Sequence, residues 1–147
     1  MNIFYVHTDP LVAARSLCDK HVVKMILESA QMLSTAHHEL GSAVEGMYKK
    51  THANHPSNIW VRQNKQHYDW LYNHAIALCS EYTARYGKVH KTEGILREYL
   101  SKFPKDLKNM EWQDPPQCMP DVYKSLDCTQ AYRNYYIGDK AYMATWK

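Results

Sequence analysis

The sequence predicts an all-α fold: a compact, single-domain bundle of about four helices joined by long loops. Three observations predict it. Apolar residues recur at helical spacing along two long stretches, and no alternation of period two persists. The 147 residues are the length of one domain able to bury a core, so 1–147 reads as a single unit. The composition, 45% hydrophobic and 22% charged, is that of a globular chain rather than a disordered one.

The elements follow in order. Ile3-Phe4-Tyr5-Val6 is strand-like and apolar enough to pack on a core. Thr8-Asp9-Pro10 then starts a helix, with Asp9 or Thr8 as N-cap and Pro10 in the first turn. Helical periodicity runs from about Leu11 to His38, with a bend near Cys18-Asp19. Val22, Ile26, Ala30 and Leu33 make its apolar stripe, and Lys20, Lys24, Glu28, Gln31 and Thr35 form one polar column. Residues 41–54 are loop-like. His55-Pro56 opens a second long helix reaching about Tyr86, with Gly87 as C-cap. It carries Trp60, Tyr68, Trp70, Tyr72 and Tyr82. A shorter helix spans Thr92 to Leu100. Residues 105–120, with Pro115-Pro116 and Pro120, form a loop. A last helix starts near Asp127 and carries Tyr132, Tyr135 and Tyr136.

Composition narrows function without fixing it. No apolar run is long enough for a membrane span, and the N-terminus lacks the basic and apolar regions of a secretory signal. The expectation is a cytoplasmic protein. A net charge of +3 does not by itself announce a nucleic-acid partner. Between Thr83 and Lys108, however, seven basic residues (Arg85, Lys88, Lys91, Arg97, Lys102, Lys105, Lys108) face three acidic ones. That stretch is either a phosphate-binding face or an ordinary solvated one. The twelve Tyr, four Trp and nine His can build a core or stack on bases. Cys18, Cys79, Cys118 and Cys128 form no CxxC pair, and a zinc site would have to recruit His37, His52, His55 or Cys118.

The polar column carries the chemistry. Read alone, Lys20, His21, Lys24, Glu28 and Gln31 are equally a solvated helix face with a Lys24–Glu28 pair. The segment Leu17–Leu33, LCDKHVVKMILESAQML, nevertheless resembles the signature helix of the pyrimidine-dimer DNA glycosylases, the family of phage endonuclease V. In the phage type, residues spaced like Leu17, Asp19 and His21 precede a catalytic glutamate at the position of Glu28. The bacterial branch has residues spaced like Lys20, Lys24, Glu28 and Gln31. His55-Pro56 with Trp60, the Cys79–Gly87 segment and Tyr132–Lys140 are similar to later blocks of the family, although Trp60 comes one residue early.

The resemblance implies a monomeric, all-helical enzyme of duplex DNA that needs neither metal nor organic cofactor. It would act as a glycosylase with abasic-site lyase activity. The N-terminal amine, here that of Met1, would attack C1′ of the damaged nucleotide, and Glu28 would assist. A Schiff base would form, followed by β-elimination of the 3′ phosphate. These residue types suit such chemistry. An α-amine titrates near about 7.7–8.0 and is partly neutral at cellular pH, and a carboxylate beside one can stabilise an oxocarbenium ion and move protons. The resemblance assigns Lys20, His21, Lys24, Gln31 and Arg62 to phosphate binding or orientation, and places Tyr135, Tyr136 and Trp146 near DNA. Two departures stand out. Asn2 is too bulky to favour removal of Met1, and Leu27 and Gln31 stand where the phage enzymes carry arginines. These leave open an enzyme of a modified phage nucleobase or nucleotide, and a non-catalytic DNA-binding or inhibitor module on the same fold.

Overall fold

A computed structural model describes residues 1–147. The chain is all-helical: α1 (Pro10–Ser16), α2 (Asp19–Glu39), α3 (Pro56–Val61), α4 (Lys65–Tyr86), α5 (Glu93–Ile95) and α6 (Cys128–Tyr135). α5 runs on into a π-helical turn at Leu96–Leu100, and α6 into another at Tyr136–Lys140. Six helices therefore replace the four expected, because each of the two long helices is broken once.

The first break is made by distant partners. Leu17 and Cys18 are extended (ψ 144° and 162°). The carbonyls of Leu17 and Arg15, which a continuing helix would have used, accept instead from Arg85 at 2.9 and 3.1 Å. The Cys18 N–H donates to the Tyr136 hydroxyl at 3.2 Å. The second break is local. Asn64 is an N-cap in extended conformation, its side chain accepting from the His67 N–H at 3.1 Å. α1 is capped by Asp9, and α4 ends on Gly87 in the left-handed region at φ 71°, as a C-cap requires.

α2 packs on α4, and α1 packs across the same helix. The expected stripe of Val22, Ile26, Ala30 and Leu33 is fully buried against Leu71, Ala75 and Leu78 of α4. Thr35 leaves the polar column for the interior, where it exchanges hydrogen bonds with the backbone of Thr51. The segment Ile3–Val6 is buried but forms no strand. Phe4 instead has a positive φ of 56° and its carbonyl accepts from the Val6 N–H at 2.8 Å, a three-residue turn that ordinarily costs energy for a non-glycine residue.

Residues 105–120 are pinned rather than trailing. The carbonyl of Gln113 accepts from the Trp60 indole at 2.8 Å, that of Glu111 from Asn64, and that of Pro116 from Tyr132. Arg85 is almost fully buried against Asp19, which removes it from the basic face expected between Thr83 and Lys108. The Asp19 carboxylate also accepts from Lys147 N and Thr145 Oγ1, tying the C-terminal residues to the start of α2. Burial alone would raise its pKa, but the Lys147 N–H, Arg85 and Thr145 outweigh that and hold it below the usual carboxylate range.

Candidate active site

Helix α2 carries Lys24 and Glu28 one turn apart, so both project from the same face. On one side of them lies a cleft of about 300 Å³ whose walls include Met1, Asn2, Phe4, His21, His55, Cys118, Tyr135 and Lys140. On the other side a cleft of about 520 Å³ is walled by Gln31, Thr51, His52, His90 and Lys91. Met1, Lys24 and Glu28 belong to both. The N-terminal residue and the α2 carboxylate thus stand together on the ridge between two clefts.

Met1 is held there by its neighbours. Asn2 Oδ1 accepts from the backbone of Ile3 at 2.9 Å, and Asn2 Nδ2 donates to the Cys118 carbonyl at 2.8 Å. Asn58 Nδ2 lies 3.2 Å from Met1 Sδ. The bulky second residue is therefore an anchor for the terminus.

Glu28 is poorly partnered for a carboxylate in this position. Its Oε2 is shielded from solvent and makes no hydrogen bond. Lys24 Nζ stands 3.7 Å away, an ion-pair separation beyond hydrogen-bonding reach. An unsatisfied buried acceptor costs about 1–3 kcal/mol, so the arrangement reads as a site built to receive a donor.

His21 lines the first cleft from below. Its ring stacks on Phe4 with centroids 4.3 Å apart, and its Nδ1 hydrogen-bonds the Tyr136 hydroxyl. Burial first, then the charges of Lys140, Lys24 and Lys20, push its pKa down to about 4. The imidazole is neutral, and Lys24 and Lys140 in the wall, with Lys20 nearby, make this cleft electropositive. Burial, the N-terminal charge and His52 also lower the pKa of His55.

The other expected residues fall in different places. Lys20 is exposed and lines neither cleft, although its charge acts on His21, and Gln31 lies in the second cleft. Tyr135 is in the first cleft's wall, but Tyr136 is buried behind His21. Arg62 lines neither cleft; its Nη1 donates to the Ala53 carbonyl at 2.7 Å and so braces the loop that carries His52. Trp146 sits apart, its indole donating to Ser16 O at 3.1 Å beside an apolar hollow with Val6 and Ile137. Sequence reasoning did not place Phe4, His90 or Lys91 at the site; it named Cys118 only as a zinc candidate, His55 as a zinc candidate and in a family-like block, and Lys140 only in a family-like block. Of Phe4, His90 and Lys91, only Lys91 carried a prior signal, as part of the basic stretch from Thr83 to Lys108.

No three His, Cys, Asp or Glu side chains are grouped to hold a metal ion. His37 is engaged by Ser42, Tyr68 and the Lys102 carbonyl. No helix is long and apolar enough to cross a membrane.

A terminal residue, a carboxylate and lysines thus meet at clefts with Phe4 and Tyr135 in one wall, on an all-α chain. The model of the pyrimidine dimer DNA glycosylase family matches residues 1–93, well over half of the chain, and the protein belongs to that family of DNA-binding enzymes. The match spans α1 to α4 and thus Met1, Lys24, Glu28 and His55; Cys118, Tyr135 and Lys140 lie beyond it. No curated protein and no solved structure matches the chain.

Proposed function

We propose that the protein releases the damaged base from a pyrimidine dimer in duplex DNA and then cuts the strand as an abasic-site lyase. The observation that carries this reading is the meeting of Met1 and Glu28 on the ridge between the two clefts. The Met1 amine attacks C1′ and the base departs with the glycosidic electron pair. Loss of the sugar-ring oxygen from C1′ gives a Schiff base. Glu28 steadies the positive charge developing at C1′, then takes the C2′ proton as the 3′ phosphate leaves. No metal or organic cofactor takes part.

Lys20 and Lys24 hold flanking phosphates, joined by Lys140, which lines the first cleft with Lys24. Tyr135 and Phe4 offer ring faces to a base; His21 and Tyr136 support that wall from behind. Gln31 contacts the strand in the second cleft, and Arg62 acts through the loop it braces. The active unit is the monomeric 1–147 domain, a cytoplasmic protein. Leu27 and Gln31, which replace arginines of the phage enzymes, favour one second reading, a modified nucleobase in place of the photodimer.

Borohydride trapping on duplex DNA with a single abasic site tests the chemistry. The wild-type chain should form a covalent adduct. Glu28→Gln, which keeps shape and removes charge, should lower lyase turnover about 100-fold or more, and acetylating the amine should abolish trapping. Tight DNA binding without any adduct overturns the lyase reading. Release of bases from modified but not irradiated DNA selects the second substrate.

A further inference from the structure

His55 is the N-cap of α3, and its role in the cap fixes its chemistry. The residue is extended (φ −65°, ψ 137°), and its Nδ1 accepts from the Ser57 N–H at 3.1 Å. An Nδ1 lone pair committed to a backbone donor leaves the hydrogen of the neutral ring on Nε2. That Nε2–H has no partner within the chain, although the ring lines the same cleft as Met1, Lys24 and Glu28. Protonating the ring would set a second hydrogen against the Ser57 N–H and a cation beside the terminal amine and His52. Burial works in the same direction.

Taking the amine–carboxylate reading as its basis, we infer that His55 is a further catalytic residue, a fixed neutral donor whose Nε2–H binds the sugar-ring oxygen as it leaves C1′. When the second C1′ bond of nitrogen forms, the C1′–O4′ bond breaks and its electron pair stays on O4′. The proton that O4′ finally takes comes from the attacking amine. The imidazole stabilises the charge in passing and keeps its own proton. A neutral donor does this without adding a cation that would compete with the lysines for phosphate or repel the ammonium form of Met1.

The two functions of the ring can be separated. Asn places an acceptor where Nδ1 sits and no donor at Nε2; Gln places an amide N–H near Nε2 and no cap. Single-turnover nicking of abasic duplex DNA, DNA affinity and melting temperature are measured for wild type, His55→Asn and His55→Gln. Asn should keep the melting temperature and bind DNA within about twofold, yet nick about 100- to 1,000-fold more slowly, the cost of losing one such donor. Gln should nick at a rate near wild type from a less stable fold. Nicking by the Asn variant at the wild-type rate overturns the proposal alone. A wild-type chain that neither nicks nor traps overturns it together with the reading beneath it.

Discussion

Arg85 joins more of the molecule than any other side chain, and replacing it with Met is the sharpest test of the fold. Its side chain is 4% exposed. Its guanidinium donates to Leu17 O at 2.9 Å, Asp19 Oδ1 at 3.0 Å, Arg15 O at 3.1 Å and Glu81 Oε1 at 3.1 Å. Methionine matches the apolar stem but supplies none of these donors. The α1 carbonyls at the break lose their partner, and the Asp19 carboxylate keeps only Lys147 N and Thr145. Removing one member of a buried pair costs about 3–5 kcal/mol. At roughly 3 °C per kcal/mol for a domain of this size, the melting temperature should fall by about 10–15 °C. Urea unfolding followed by circular dichroism gives the free energy directly. Asp19→Asn combined with Arg85→Met should recover part of the loss, because no charge is then left without its partner. The sign of the pH effect follows from Asp19. Its folded pKa is depressed, so its contribution is present above the unfolded value of about 3.9 and is lost as pH falls through the folded one. The gap between wild type and Arg85→Met should therefore narrow below about pH 4. A variant that melts within about 3 °C of wild type at pH 7 would refute the account of the break between α1 and α2.

Two other outcomes are expected. Asn2→Leu keeps the second residue bulky, and with it Met1, but removes the hydrogen bonds that tether the terminus to Ile3 and to the Cys118 carbonyl; borohydride trapping should fall about tenfold while the melting temperature changes little, because each such hydrogen bond is worth only about 1 kcal/mol. His21 and His74 are neutral in the fold, each pushed by burial to about 4. The unfolded chain binds their protons near pH 6.5, so stability should drop as pH falls from about 6.5 toward 4, and nitrogen chemical shifts should show both rings uncharged at pH 5.

Much of the framework was legible because it rests on local pattern. The buried stripe of α2, the Asp9 cap, the Gly87 stop and the start of α6 after Asp127 all follow from residue type and helical spacing. The break at Leu17-Cys18 was not legible beyond a bend, since neither residue is a helix breaker and the interruption is imposed by Arg85 and Tyr136. Asn64 did offer a readable cap, but the aromatic-rich run around it hides the change of helix. The site divides the same way. Lys24 and Glu28 fall on one helix face by arithmetic. Cys118, Tyr135 and Lys140 join them only because the loop 105–120 and α6 are drawn back over the N-terminal segment. The burial of His21 depends on Phe4 and Tyr136, neither of which its own helix reveals.

Asn2, bonded to the Cys118 carbonyl, joins two walls of the first cleft, and Arg133 on the Val6 carbonyl and Lys147 on Asp19 fasten the two ends of the chain to each other outside it. The cleft is thus a seam between two termini, while the packing of α2 on α4 lies to one side of it. Opening that seam can erase the site and leave the helical core intact. Mild heat or denaturant should silence the protein before its helix signal changes, and a chain still on the ribosome holds Met1 and Glu28 without the wall that faces them.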